Sequence, residues 1–558
     1  LKIVLAEKVS PATLALLQQE PGWTCVTADQ IAKTGPDGLK QALADADALV
    51  VRSAVQVDAA LLEHAPKLRV IGRAGVGVDN IDTAAATKRG IVVMNTPGAN
   101  AVAVAELTLG LMIAMCRQIP KANASMHQGV WDKKSLQGSE LRGKTLGIVG
   151  LGRIGLEVAR RAAAFGMELI AYDPFIAPVV AREHDVTLTN LDDVFHEADF
   201  LTLHVGLTTQ TEGLINAASI AIMKPGIRIV NCARGELIVD AALADALKSG
   251  KVAGAALDVF HQEPLKESVY FGLPNVLLSP HIAGATDEAQ EAIGLQLARQ
   301  VRDYLKLGVV QNAVNLSSMT HEEYLEVGPY LEMAERLGHF LSHSTAGNLE
   351  SIHLTYTGRL AQGKTDLIRN AAIAGIFADT EGSNSVNRIN AAAVAQERGI
   401  RIQEDKREFV PGGAGSVLKI VLNSSGEGQD RGNDRRQEHT SASATVLHGS
   451  SPRLLSYDGI DIEAPLQGTL VVIRNHDVPG VVGRIGTILG EHQVNIANFG
   501  LGRAQQRPAE EARLQRVPQG QALAVVQIDV AGAQAAAPAL ASLRKVEAIA
   551  SVRLVELG

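Results

Sequence analysis

Six short runs, "TLGIVG", "ELIAYD", "FLTLHV", "IRIVNCA", "KVAGAALDV" and "NVLLSP", punctuate residues 145–280. Each is apolar along its length rather than at alternate positions, so neither face of such a strand can be left in water. Helical segments lie between them, and that order describes a parallel sheet covered by helices on both sides. A second series occupies residues 1–100, with "KIVLAE", "ALVVRS", "LRVIGR" and "IVVMN" alternating with helix-type segments such as "PATLALLQQE" and "NIDTAAATKRG". A long helical pattern over 101–116 joins the two. Two adjacent α/β units are expected, and their cores must be aliphatic, because hydrophobic residues are 46% of the chain but aromatics only 3%.

The remaining length calls for further domains, since 558 residues suggest three or four at roughly 150 residues each. Beyond residue 314 the pattern becomes mixed α+β. The segment 423–452, "NSSGEGQDRGNDRRQEHTSASATVLHGSSP", is polar and charged, and reads as a disordered insertion or linker. From 468 the order is βαββαβ, a ferredoxin-like unit, with a long polar connection, "RAQQRPAEEARLQRVPQG" (503–520), between its middle strands. A net charge of -8 gives no general attraction to nucleic acid or anionic membrane. Cys25, Cys116 and Cys232 are far apart and without metal-ligand spacing, so neither a disulfide framework nor a metal site is expected. "LKIVLAEKVS" reaches Glu7 too soon for a signal peptide, and Glu106 interrupts the longest apolar stretch. A soluble cytoplasmic protein is expected.

"TLGIVGLGRIGLEVARRAAAFGMELIAYDP" carries the first chemistry. Gly150, Gly152 and Gly155 form G-x-G-x-x-G directly after an apolar strand and at the start of an amphipathic helix. The first glycine permits a tight turn, the second lets a pyrophosphate approach the backbone, and the third packs helix on strand. Asp173, at the end of the next strand, is placed to accept from an adenosine ribose and to repel a 2′-phosphate, which favours NAD over NADP. An ordinary strand cap is the other reading of Asp173.

Ligands of an open α/β sheet sit beyond the carboxyl ends of its strands. Arg234 in "NCARGE", Glu263 in "LDVFHQEP" and His281 in "VLLSPHIAGA" all follow strand ends of this unit. Oxidising a secondary alcohol by hydride removal needs a base for the hydroxyl proton, and imidazole suits that work. A carboxylate beside it fixes the tautomer, and a planar guanidinium matches a substrate carboxylate. Singly, each residue would more often be a surface ion-pair member.

Together with "VIGRAGVGVDNID", "NTPGANAVAVAELTLGLM" and "ELRGKTLGIVGLGRIG", these residues resemble the D-2-hydroxyacid dehydrogenase family. The resemblance implies a Rossmann domain, about 98–282, inserted in a discontinuous flavodoxin-like substrate domain, 1–97 and 283–313. It implies an intervening domain over 314–462 and an ACT regulatory domain over 468–558. By the same resemblance, Arg234, Glu263 and His281 are the catalytic set. Arg153, Ile154, Cys232, Asp258 and Gly284 would lie along NAD with the glycines, Asp258 on the nicotinamide side and Cys232 with no catalytic role. Arg52, Arg73, Asn100 and Lys134 would hold substrate carboxylate and phosphate. One departure is "HVGLT", with Gly206 where the family often has proline.

The implied reaction is NAD-dependent oxidation of 3-phospho-D-glycerate to 3-phosphooxypyruvate in serine synthesis, by a homo-oligomer, tetramer or dimer. Another 2-hydroxy acid (glycerate, lactate or 2-hydroxyglutarate) is the nearest rival, and a non-catalytic NAD-sensing protein is a rival of another class. In "VVIRNHDVPGVVGRIG" a strand ends at a turn and Pro479-Gly480 opens a helix whose N–H groups suit an amino-acid carboxylate. Asn475, Asp477 and Asn495 are therefore the expected ligands of serine as effector, with Asn495 reached across a side-by-side pair of ACT domains. A capped turn without ligand is the plain alternative.

Overall fold

The computed structural model describes the chain except for residues 318, 320, 346–347, 380–385, 408–414, 426–436, 505–519, 530–532 and 558. The first sheet contains β1 (Lys2–Leu5), β2 (Thr24–Val26), β3 (Ala48–Val51), β4 (Val70–Arg73) and β5 (Val92–Met94). Its order is β2-β1-β3-β4-β5, all parallel, the flavodoxin-like arrangement. Helices Pro11–Gln18 and Asp287–Leu307 cover one face, with Leu17, Ile293, Leu297 and Val301 buried against Ile3, Val50 and Val92. The chain thus returns to this sheet after its excursion through the second. Val314 N–H donates to Val93 O at 2.8 Å, and Asn315 Oδ1 accepts from Val93 N–H at 2.9 Å.

The second sheet is formed by β6 (Thr145–Val149), β7 (Glu168–Tyr172), β8 (Thr187–Leu188), β9 (Phe200–Leu203), β10 (Ile227–Asn231), β11 (Val252–Leu257) and β12 (Val276–Leu278). Its order, β12-β11-β10-β9-β6-β7-β8, is parallel throughout. The chain winds from β6 to β7 and β8 in one direction, then restarts at β9 on the other side. That reversal opens a crevice beyond the carboxyl ends of β6 and β9. Buried clusters lie on both faces, one including Leu146, Val158, Ala159 and Phe200, the other Val149, Leu201, Ile229 and Leu243. The continuous apolar runs have this cause.

The third sheet is ordered β14-β13-β15-β16-β17-β18. Its strands are β13 (Asn348–Thr357), β14 (Arg401–Arg407), β15 (Val417–Ser425), β16 (Gln437–Leu447), β17 (Ser451–Tyr457) and β18 (Ile460–Pro465). This corrects the reading of 423–452 as disordered. Residues 423–425 end β15 and 437–447 form β16, while 426–436 lie outside the described residues. In "EHTSASATVL" the apolar face is made of small groups. Thr440, Ala442 and Ala444 are buried at a period of two, with Thr445 buried next to them, and a period built from Thr and Ala is faint beside the charges flanking it.

The last sheet, β20-β21-β19-β22, comprises β19 (Gly468–His476), β20 (Asn495–Arg503), β21 (Gln521–Asp529) and β22 (Ile549–Leu557) in the expected ferredoxin-like order. Helices Val481–Glu491 and Ala533–Leu543 cover one face. Leu470, Val472, Leu523, Val525 and Val555 on the other face join the core of the third sheet. β20 crosses β18 so closely that a Cβ on Gly500 or Gly502 would lie 2.7 or 2.3 Å from the Glu463 or Asp461 carbonyl oxygen. Among the described residues no single helix is long and apolar enough to cross a membrane.

Candidate active site

The glycine-rich turn sits at the end of β6, beside the crevice. Gly150 has φ +93°, and a Cβ there would lie 2.6 Å from the His204 carbonyl oxygen. A Cβ on Gly155 would lie 2.2 Å from the Gly150 oxygen, so that glycine seats the helix on the strand. At Gly152 a Cβ would meet nothing within 4 Å. This open side faces the uncapped N-terminus of helix Arg153–Ala164, whose first N–H groups have no intrahelical partner. Such a cradle fits a dinucleotide pyrophosphate. Asp173 stands beside it, with Oδ2 accepting from Leu151 N–H at 2.8 Å and Oδ1 from Phe175 N–H at 2.9 Å. It is therefore a brace for the turn as well as a candidate ribose acceptor. Arg153 Nη1 donates to Pro97 O, and Ile154 is half-buried.

Three strand ends of the same sheet carry the other groups. At the end of β10, buried Asn231 accepts from Ala233 N–H at 3.0 Å and donates to Arg234 O at 2.8 Å, shaping the turn that presents Arg234. Neighbouring Gly235 lets the backbone at Phe260 and His261 approach, since a Cβ would lie 2.1 Å from the Phe260 carbonyl carbon. Beyond β12, His281 adopts φ +52°, the left-handed region that costs a non-glycine residue about 1–2 kcal/mol. Asp258 holds it there. This carboxylate is fully buried and accepts from Ser279 Oγ (2.6 Å), Ile282 N–H (2.9 Å) and Ala283 N–H (2.8 Å). Its oxygens thus hold the loop, a task beside the nicotinamide contact expected of it. His281 Nδ1 donates to Glu263 Oε2 at 2.6 Å, and Glu263 Oε1 accepts from Phe260 N–H at 3.0 Å. Nε2 is left as the nitrogen available to the cleft.

That cleft, of about 650 Å³, lies between the first two sheets and is lined by Arg52, Arg73, Asn100, Arg234, Glu263, His281 and Gly284 among others. Three arginines and three carboxylates (Asp79, Glu236 and Glu263) line it, and its polar groups are incompletely paired. Arg73 Nε and Asn100 Oδ1 are buried without partners. Burial, and then the Arg234 guanidinium, push Arg73 below its ordinary range. Arg234 has an ion pair with Asp79 at 3.2 Å, and Arg52 Nη1 donates to Lys8 O at 3.4 Å. A bound anion would relieve these crowded guanidinium groups. Lys134 is exposed on the segment after helix Ile119–His127 and does not line the cleft. Cys232 is buried, and burial pushes its thiol up to about 12, so it stays protonated.

Residues 109–283 match the family described as "D-isomer specific 2-hydroxyacid dehydrogenase, NAD binding domain". Residues 326–432 match the "D-3-phosphoglycerate dehydrogenase intervening domain", and 469–545 the "ACT domain". A D-3-phosphoglycerate dehydrogenase of Methanocaldococcus jannaschii is 41% identical over 468 residues, 84% of this chain and 86% of that one. One from Bacillus subtilis is 39% identical over 459 residues, 82% and 85% of the two chains.

The chain belongs to the D-3-phosphoglycerate dehydrogenase family.

Among solved structures, D-lactate dehydrogenase from Aquifex aeolicus, "complexed with NAD and lactic acid", superposes at a TM-score of 0.50 with 26% identity. It covers 56% of this chain and all of that one. NAD is the cofactor of this family's nucleotide domain, and the cradle at Gly152 suits it.

The three candidate effector residues are not brought together in one chain. Asn475 is buried, with its amide donating to His476 O at 2.8 Å and its Oδ1 without a partner. Asp477 lies 3.3 Å from Arg503 Nε, beside a cavity of about 760 Å³ at the turn before helix Val481–Glu491. Asn495 donates to Asp529 Oδ2 at 3.0 Å at the far end of the sheet. On β21, Asp529 pairs with Asn495 and Ala522 with Asn475, which separates them by roughly 23 Å at 3.3 Å per residue.

Several residues of the site were not singled out from sequence. In "RAGVGVDN" a Cβ on Gly75 (φ +147°) would lie 1.3 Å from Arg73 Nη1, and one on Gly77 would lie 1.8 Å from Arg234 Nη2. Those glycines make room for guanidinium groups rather than for phosphate. Asp79, in the same stretch, is the ion-pair partner of Arg234. A glycine pair beside an Arg at a strand end was the available signal.

Proposed function

We propose that this chain oxidises 3-phospho-D-glycerate to 3-phosphooxypyruvate with NAD, the first step of the phosphorylated route to L-serine, as a homo-oligomer in the cytoplasm. The observation that carries the reading is one cleft holding both the His281–Glu263 pair and the guanidinium groups of Arg234 and the under-paired Arg73. A base without cations would suit many alcohols, and cations without a base would suit a binding protein. His281 Nε2 takes the proton of the substrate C2 hydroxyl, and Glu263 fixes the tautomer that carries its proton on Nδ1 and stabilises the imidazolium afterwards. Arg234 pairs with the substrate carboxylate, while Arg73, Arg52 and Asn100 take the phosphate end. Bound against the Gly150–Gly155 turn, NAD supplies the hydride acceptor. The family's ACT domain implies a small-molecule effector, and serine is the one proposed, held by Asn475 and Asp477 of one chain and Asn495 of another.

Steady-state kcat/KM for a panel of 2-hydroxy acids tests this. 3-Phosphoglycerate should exceed glycerate and lactate, and Arg73→Ala should penalise the phosphorylated substrate far more than the others. Equal losses across the panel would make Arg73 a structural residue or a ligand of the shared carboxylate only. Serine should inhibit, and Asp477→Ala should remove inhibition while leaving turnover intact.

A further inference from the structure

Far from the active-site cleft, "LGHFLSHST" places His339 and His343 four residues apart at the end of helix His321–Ser342, on one face of it. That helix crosses helix Thr365–Ile376 at unusually short range. A Cβ on Gly338 would lie 2.1 Å from Ala372 O, and one on Gly375 would lie 1.9 Å from Glu335 O. Only glycine at both positions permits this approach, and it carries Asp379, just beyond the second helix, up to the two histidines.

His339 Nε2 lies 2.8 Å from Asp379 Oδ2, His343 Nε2 lies 3.0 Å from the same oxygen, and the two ring nitrogens are 3.2 Å apart. Two N–H donors onto the one Asp379 oxygen would explain two edges of this triangle, but would leave the two ring nitrogens at 3.2 Å with no bond between them. Each imidazole nitrogen has a single in-plane valence, either one proton or one lone pair, which cannot point along two edges at once. An ion shared by all three atoms is served by one direction from each. Zinc at about 2.0–2.1 Å from nitrogen and oxygen ligands in tetrahedral geometry sets ligand atoms about 3.3 Å apart, close to the observed edges. Two imidazoles and one carboxylate are also the donor set of borderline divalent ions rather than of calcium or magnesium.

We propose that His339, His343 and Asp379 bind a divalent transition-metal ion of the zinc class, with water completing the shell. The site lies where the intervening domain meets the ACT domain. Arg553 Nη1, on β22, donates to His343 O at 3.2 Å. An ion here clamps the two helices beside β22, a strand of the last sheet. The three side chains retain 21%, 34% and 58% of their exposure, so the ion has a path in.

The test uses the full-length chain, stripped with chelator and freed of any affinity tag. Titration with Co²⁺ should produce visible absorption bands of tetrahedral intensity that saturate at a single equivalent and are displaced by Zn²⁺. Asp379→Asn, at a largely exposed carboxylate that no core packing depends on, and His339→Gln should each abolish the bands. His448→Gln, at an exposed histidine elsewhere, should not. Far-UV circular dichroism checks that each variant is folded. Absence of stoichiometric Co²⁺ or Zn²⁺ uptake by the wild type, or uptake unchanged in folded Asp379→Asn, overturns the site and leaves a hydrogen-bonded cluster.

Discussion

Asp258→Asn asks whether one buried carboxylate holds His281 in place. Its Oδ1 accepts from Ser279 Oγ and Ile282 N–H, and its Oδ2 accepts from Ala283 N–H. Asparagine has the same shape but keeps only one acceptor. If that oxygen faces Ser279 and Ile282, its NH₂ group confronts the Ala283 N–H, donor against donor. A buried donor left unsatisfied costs about 1–3 kcal/mol, and a hydrogen bond to a charged group is worth about 1.5–3 kcal/mol. The loop should therefore lose on the order of 2–4 kcal/mol, which exceeds what is needed to hold His281 at φ +52°. The imidazole then leaves its alignment with Glu263. A displacement of about 1 Å in such a group costs roughly 10²-fold in rate. The expected result is a fall in kcat of that size by NADH absorbance, with Kd for NAD little changed, because the Gly150–Gly155 turn is untouched. Calorimetric melting of the nucleotide unit should drop by about 2–4 °C for each kcal/mol lost. Ser279→Ala removes one bond of the three and leaves no buried donor exposed, so its effects should be clearly smaller. Wild-type kcat and melting in Asp258→Asn, or an equal loss in Ser279→Ala, would refute the reasoning.

His281→Ala should lower kcat by roughly 10²–10⁴-fold, as loss of a general base does, with NAD binding by fluorescence unchanged. Glu263→Gln should lower kcat with NAD binding unchanged, since the imidazolium loses its anion at 2.6 Å; an undiminished kcat would separate the two residues. Asp173→Ala should weaken NAD and narrow its kcat/KM advantage over NADP. Because the same carboxylate braces Leu151 N–H, some affinity for both cofactors should also be lost. An unchanged ratio places ribose recognition elsewhere. Burial pushes His204 down to about 4 from an ordinary 6.5. The unfolded chain therefore binds the proton first as pH falls, and stability present above about 6.5 is lost between there and 4. The loss is on the order of 3 kcal/mol. Urea unfolding of His204→Gln should show a flatter slope across that window than wild type, and identical slopes would assign the pH dependence to other groups.

What the chain's order alone determined is whatever depends on neighbours in sequence. Strands buried on both faces must be apolar at every position, so both parallel sheets could be read from their runs. The dinucleotide turn is contained in Gly150–Gly155, and each glycine's reason lies within a few residues of it or against the adjacent strand end at His204. Arg234, Glu263 and His281 were legible as strand ends of one sheet, because topology sends all such ends to the same edge. β16 was not legible, since Ala442, Ala444 and two threonines bury little apolar area each and the charges around them dominate the composition. Nor was the work of Asp258, whose partners lie 21–25 residues ahead and are mostly backbone N–H groups that carry no side-chain signature. Nor was the work of Gly75 and Gly77, because the guanidinium groups of Arg73 and Arg234 that occupy the space where a Cβ would stand include one more than 150 residues away. The gathering of His339, His343 and Asp379 likewise depends on two glycines in different helices meeting at a crossing. Local pattern records which face of an element must be dry. Only packing decides which polar groups from distant elements are forced together, because that depends on how closely the dry faces can approach.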